Sequence, residues 1–221
     1  MTDFISLPFY DLLQEDGHVP GVRAKLPSLL AGVRRSIPEI GAGTGLITTA
    51  LAEWTPAEIF ALEPSTGMRG VLLSRLSGST ELLKRVTVLP CDALSVDLDE
   101  PVEAIVMINV MYAMEPDYRK RLWPVLAAQL EPGGLLVLTW REGGAPSPRP
   151  LQASGSRQVG RHTYTALSEI LESSEEACTA RYLYRITEGD GDQRGGDRRP
   201  RLPSCVGDDR RGAGQGRFRP D

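Results

Sequence analysis

The chain is poor in the residues that staple or metallate a fold. Its 221 residues include three cysteines and two histidines. Cys91, Cys178 and Cys205 lie far apart with no Cys-x-x-Cys pair, so their spacing predicts free thiols rather than a disulfide framework or a zinc site. His18 and His162 have no ligating neighbours, which argues against a histidine metal cluster, and each reads as a surface histidine in a polar segment. Long apolar runs are missing as well: none approaches the ~20 residues needed to span a bilayer. The amino end is polar and acidic, unlike a leader peptide, and the expectation is a cytoplasmic protein without a membrane partner. A basic excess is also absent, the formal net charge being −4, so no nucleic acid partner is expected. No internal repeat or heptad is visible, which removes solenoids and coiled coils.

What is present is enough apolar material, 41% of residues, to build one medium-sized core. The most informative segment is Glu39-Ile40-Gly41-Ala42-Gly43-Thr44-Gly45, where an acid ends an apolar run just before three glycines at alternate positions. Glycines let the backbone turn sharply after a strand and approach a ligand without a Cβ in the way. Helical periodicity begins at Leu46 and continues through Ile47, Ala50 and Leu51, so free N–H groups and the positive end of a helix dipole border the loop. A dinucleotide fingerprint needs a glycine where this chain has Leu46, which weakens a nicotinamide reading.

Further apolar runs follow in order. Residues 57–62 read as a second buried strand ending at Glu63, about 20 residues beyond the loop, where a carboxylate is placed to accept from both ribose hydroxyls. Pro64, Ser65, Thr66 and Met68 come next, with Ser65 or Thr66 as a helix cap. A third strand at 86–90 leads into Cys91-Asp92-Ala93, where Asp92 also has the character of a turn former. A fourth, residues 104–108, stops at Asn109-Val110-Met111-Tyr112. In an open parallel sheet ligands sit outside the carboxyl ends of the strands, which puts residues 109–112 between cofactor and acceptor.

The pattern Glu-x-Gly-x-Gly-x-Gly, with these acids after it, resembles the class I S-adenosylmethionine (SAM) dependent methyltransferases of the small-molecule type. The resemblance implies a doubly wound, Rossmann-like α/β sheet and SAM as cofactor. It assigns the methionine amino end to Glu39 and the close backbone to Gly41, Ala42, Gly43 and Gly45. Glu63 takes the ribose, while Pro64, Met68, Asp92 and Ala93 border the adenine. Asn109 lies toward the methyl group, and Tyr10, from the Tyr-Asp pair of an opening helix, covers the cofactor or closes the acceptor pocket. Glu131-Pro132-Gly133-Gly134 resembles the family's turn into a fifth strand at 135–140.

The implied activity is methyl transfer to a small-molecule acceptor at an O, N or C atom by a monomer or homodimer. Two alternatives stay open: a SAM-binding protein without catalysis, and an NAD(P)-dependent oxidoreductase. If a proton must be taken from the acceptor, Tyr112, His162 and His18 are the polar candidates. The expected organisation is a helical lid at 1–35, a methyltransferase domain at 36–188 and a tail at 189–221.

Two departures from the family stand out. Pro38 lies in the first strand and lacks the N–H that a central strand needs. Residues 189–221 hold eight Arg, six Asp and eight Gly with no Lys or Glu, a composition that predicts disorder. Before that tail, residues 141–160 read as irregular, 164–171 as a helix with Leu167, Ile170 and Leu171 on one face, and 180–186 as the first strand of a closing hairpin. The hairpin's last strand is expected to be missing, replaced through a changed reading frame or gene end near Glu188.

Overall fold

A computed structural model describes residues 7–14, 19–111, 114–140, 146–173 and 178–188. The expected tail therefore lies outside the described residues. Two helices, α1 (Leu7–Gln14) and α2 (Val19–Leu29), precede the alternation β1 (Ser36–Ile40), α3 (Leu46–Trp54), β2 (Glu58–Leu62), α4 (Thr66–Ser77), α5 (Thr80–Arg85), β3 (Val86–Leu89), β4 (Val102–Met107), α6 (Pro116–Gln129) and β5 (Leu130–Leu138). The five strands form one parallel sheet in the order β3-β2-β1-β4-β5. The chain reverses direction across the sheet at β1/β4, which opens a crevice at the carboxyl ends of those strands.

Successive residues of the central strands divide between two cores, as the period of two in a strand requires. Ile37, Ile59, Ala61, Ala104 and Val106 pack with α3 and α4 through Leu51, Leu72 and Leu76. Ile40, Leu62, Ile105 and Met107 pack on the other face with Leu122 and Leu126 of α6. Glu39 shares the parity of Ile37 and so points toward α3.

Pro38 does sit mid-sheet, opposite Phe60 of β2. Gly41 N–H donates to Leu62 of β2 at 2.9 Å, so residues of that parity face β2, whereas Pro38 and Ile40 face β4. The missing donor thus falls on the β1/β4 seam, which narrows to the single pair Glu39↔Val106, while β1/β2 keeps five. The loss stays on one side of the strand and Glu39 keeps its register.

The Glu-Pro-Gly-Gly turn is an excursion inside β5: pairing with β4 runs Val102↔Leu130 and resumes at Ala104↔Leu135, with Gly133 at φ 85°. Beyond β5 the chain departs from expectation. Residues 141–160, read as irregular, contain β6 (Arg149–Val159), and the helix expected at 164–171 is instead β7 (His162–Ser173). With β8 (Cys178–Glu188) they make a separate antiparallel sheet in the order β6-β7-β8. The helical spacing of Leu167, Ile170 and Leu171 misleads because β7 is paired on both edges, and its burial follows a period of two at Ala166, Ser168 and Ile170. The strand expected at 180–186 is β8, joined to β7 rather than to the parallel sheet. Among the described residues no strand covers the outer edge of β5, where Leu135 and Leu136 are exposed.

Candidate functional site

The loop after β1 owes its path to its glycines. Gly41, Gly43 and Gly45 all have positive φ, at 71°, 59° and 85°, a region that side-chain-bearing residues avoid. Gly41 and Ala42 donate their N–H groups to the Leu62 carbonyl at 2.9 and 3.0 Å, which ties the loop to the end of β2. A Cβ at Gly41 would lie 2.1 Å from Cγ1 of Val110, so the loop and the end of β4 approach as closely as glycine permits. Gly45 then opens α3, and Ala42 is buried beneath the turn.

Two carboxylates at the ends of adjacent strands flank this loop, and their surroundings differ. Glu39 is buried and accepts a bond from the Thr48 hydroxyl of α3 at 2.5 Å. Desolvation pushes its pKa up to about 8, opposed by the Thr48 bond and assisted by the nearby charge of Glu63. Glu63 is also buried, but it accepts from the Gly43 N–H at 2.9 Å and the Ser65 N–H at 2.7 Å. One carboxylate is short of partners and the other is well bonded.

The remaining sequence-predicted residues lie in the segments that follow β2, β3 and β4. Ser65, not Thr66, caps α4, accepting from the Met68 N–H at 3.4 Å, with Met68 buried and Pro64 exposed. Asp92 is exposed, and its Oδ1 accepts from the Leu94 N–H, the Ser95 N–H and the Ser95 hydroxyl at 3.0 to 3.1 Å. It holds the turn after β3, above the buried Ala93. Asn109 is the one non-glycine residue with positive φ among the described residues, at 58°. Its N–H donates to the Thr139 hydroxyl at 2.6 Å, and that hydroxyl lies 3.1 Å from Asn109 Oδ1, so the ends of β4 and β5 are clasped.

Tyr10 reaches the loop from α1: its hydroxyl lies 4.0 Å from where a Cβ on Gly43 would be. Burial, then the charges of Asp11, Glu63 and Glu39, raises its pKa, so it remains a neutral phenol. Between Tyr10 and the loop is a cavity of about 20 Å³ bordered by Glu39, Gly41, Ala42, Thr44 and Ile108. Of the candidate bases, His18 and Tyr112 lie outside the described residues, and His162 stands at the start of β7, paired with Val159 and Glu188 in the second sheet.

Sequence reasoning missed Thr48, Arg75 and Thr139, and named Asp11 and Val110 only within the Tyr-Asp pair and the 109–112 segment, without their contacts. Each acts through a contact formed between elements, Thr48 excepted, which is brought under Glu39 by the turn itself. A threonine in the first turn of a helix after an acid-glycine loop was the one available signal.

The parallel sheet, its strand order and a glycine loop at the strand ends define the class: a doubly wound, Rossmann-like α/β domain. Residues 37–134 match the family described as "Methyltransferase domain". A protein from Mycobacterium tuberculosis described as an uncharacterized methyltransferase is 32% identical over 112 residues, 51% of this chain and 42% of its own length. The chain thus aligns with less than half the length of the curated relatives it matches. Among solved structures, the sugar N-methyltransferase KedS8 from Streptoalloteichus superposes with TM-score 0.59 at 20% identity, covering 85% of this chain and 78% of that one. SAM-bound CalS10, an amino pentose methyltransferase from Micromonospora echinaspora, gives 0.57 at 17% identity over 76% and 73%. Residues 37–134 thus resemble a methyltransferase domain, on a fold shared with a methyltransferase solved with SAM bound. Among the described residues no helix is long and apolar enough to cross a membrane.

Proposed function

We propose that the chain binds SAM in the crevice at the carboxyl ends of β1 to β4 and transfers its methyl group to a small-molecule acceptor. The observation that carries this reading is the pair of buried carboxylates, Glu39 and Glu63, on either side of a loop with three positive-φ glycines. The donor set fits the cofactor. Glu39, short of partners, is matched to the methionine ammonium, because a cation beside it favours its charged form. Glu63 and Asp92 supply acceptor oxygens for ribose hydroxyls and the adenine amine, with Pro64, Met68 and Ala93 along the base. Gly41, Ala42, Gly43 and Gly45 provide backbone that comes close, with Asn109 on the acceptor side.

When bound, SAM supplies a methyl group already activated by the adjacent sulfonium. The chain's own part is to hold the acceptor atom in line with that group and to keep water out. Tyr10, held neutral by its surroundings, caps the crevice rather than removing a proton. We assign no general base. The sugar N-methyltransferase and the amino pentose methyltransferase among the structural neighbours make amino sugars the first acceptors to assay. The same reading takes residues 1–35 as a lid and 36–188 as the working domain, in a cytoplasmic monomer or homodimer.

Calorimetric titration with SAM and separately with NADH tests the proposal. Saturable SAM binding is expected, with no NADH binding. Gly43→Arg, which drives a long side chain into the space under Tyr10, should weaken SAM at least ~100-fold, or about 2.7 kcal/mol. NADH binding without SAM binding restores the oxidoreductase alternative, and binding of neither by folded protein ends the methyltransferase reading for this chain.

A further inference from the structure

Building on that reading, we propose that Asp11 and Arg75 form a latch that holds α1 shut over the glycine loop and sets how fast SAM enters and leaves. The need for movement follows from space. The cavity between Tyr10 and the loop, about 20 Å³, accommodates roughly one water molecule, too little for the methionine end that Glu39 would receive. With α1 where it lies, the loop is covered, so the helix must lift before the cofactor seats.

The contacts holding α1 down are of two kinds. Along most of the helix they are apolar and non-directional: Leu7 lies beside Gly67 at the start of α4, Leu13 beside Gly155 of β6, and Phe9 against the rings of Tyr164 and Tyr184. At Asp11 they are directional and charged. Its carboxylate accepts from the Thr44 hydroxyl, inside the glycine loop, and from the Arg75 guanidinium of α4. Arg75 Nε donates in turn to the Thr44 carbonyl at 3.0 Å. The Arg75 stem reaches that carbonyl past Gly45, where a Cβ would stand 3.6 Å from Arg75 Cδ.

Three elements, α1, the loop and α4, therefore meet in one cluster of hydrogen bonds. Thr44 is 1% exposed, while the side chains of Arg75 and Asp11 are 28% and 29% exposed. The pair is sheltered enough for its charge-assisted bonds to count, yet open enough for water to replace them when the helix lifts. That combination suits a latch better than a permanent fastening.

The roles of neighbouring residues then separate. Tyr10 faces the cofactor crevice, whereas Asp11 acts on α1 and not on the cofactor, which makes it a positioning residue. Removing its charge lowers the cost of opening, and opening precedes both entry and exit. Both rates should rise while their ratio changes little.

The test measures association and dissociation of radiolabelled SAM for the full chain, Asp11→Asn, Arg75→Met and the charge-exchanged double variant Asp11→Arg/Arg75→Asp. Each single variant is expected to speed both rates roughly tenfold, the factor equivalent to ~1.4 kcal/mol, with the double variant moving back toward wild type. In SAM-free protein, hydrogen exchange of amides 7–14 should rise in the single variants while α3 amides stay as protected as in wild type. Faster dissociation with unchanged association would mean that Asp11 or Arg75 contacts the cofactor directly, and overturns the latch. Unchanged α1 exchange in folded Asp11→Asn overturns it too. Should wild type bind no SAM, the functional reading fails, and the exchange measurement still decides whether the latch exists.

Discussion

The two sheets of this protein solve the same packing problem differently. The parallel sheet is covered on both faces by its own helices, and its central strands are almost wholly apolar and buried. The antiparallel sheet buries Ala166, Ser168 and Ile170 among its described residues, and its aromatic contact is with Phe9 of α1, 5.4 Å from Tyr164 and 5.0 Å from Tyr184 between ring centroids. The first unit makes its core from within; the second borrows a residue from the start of the chain. In a βαβ unit the connecting helices supply the cover, while a three-stranded meander has no helix of its own to do so. The proposed cofactor residues, Tyr10 of α1 apart, belong to the self-covered unit, and the antiparallel sheet packs against α1.

The largest effect that would sharpen this contrast is electrostatic and lies in the parallel unit. Glu39 has a folded-state pKa of about 8 against 4.5 for a carboxyl free in water, so between those values the native state holds a proton that the unfolded chain has released. Its contribution is complete below about 4.5 and is lost as pH rises through 8, amounting to a few kcal/mol. Denaturant unfolding across that range should show stability falling with pH in wild type and a flatter profile in Glu39→Gln; parallel profiles would contradict the assignment. SAM binding near pH 7 should release protons for the same reason, visible as a buffer-dependent heat.

Next in size is Gly41→Ala. It places a methyl group 2.1 Å from Val110 Cγ1 at a φ of +71° and should cost about 2–4 kcal/mol, of which Val110→Ala recovers the steric part. Chemical denaturation of the two singles and the double measures that coupling. Phe9→Ala acts on the other unit, with an expected loss of about 3 kcal/mol, the low end for a truncated buried ring. Hydrogen exchange should show the loss in β7 and β8 and leave β1 and β4 protected; equal loosening of both sheets breaks the proposed division. Tyr182→Ala, at a position 60% exposed on β8, is expected to change stability by less than about 0.5 kcal/mol in the same assay.

The same division explains what could be read from the chain. The parallel strands were legible because the central ones, buried on both faces, are largely apolar runs, and Glu39, Gly41, Gly43, Gly45 and Glu63 stood where those runs end. The antiparallel sheet was obscured by its partial exposure. Leu167, Ile170 and Leu171 imitate a helical stripe because only alternate residues of β7 face inward and the rest are free to be apolar. Residues 149–159 are rich in polar side chains because most of β6 faces solvent. Within the site, types and positions were visible but partners were not. Nothing in the spacing of Glu39 and Glu63 tells that one would be left with Thr48 while the other gathers two backbone donors. Asp11 and Arg75 are 64 residues apart and meet only through the packing of α1 on α4.

The corner at Asn109 has a further consequence. A non-glycine residue at a φ of 58° is strained by about 1 kcal/mol, and asparagine is among the few side chains that tolerate the region. Clasped to Thr139, that bend is fixed when the protein folds rather than when a ligand arrives. A molecule settling beside the end of β4 meets a backbone already in its final shape, and the ordering entropy that a flexible loop would subtract from affinity has been met beforehand. The wall of the crevice on that side is preorganised, in contrast to the movable cover proposed for α1.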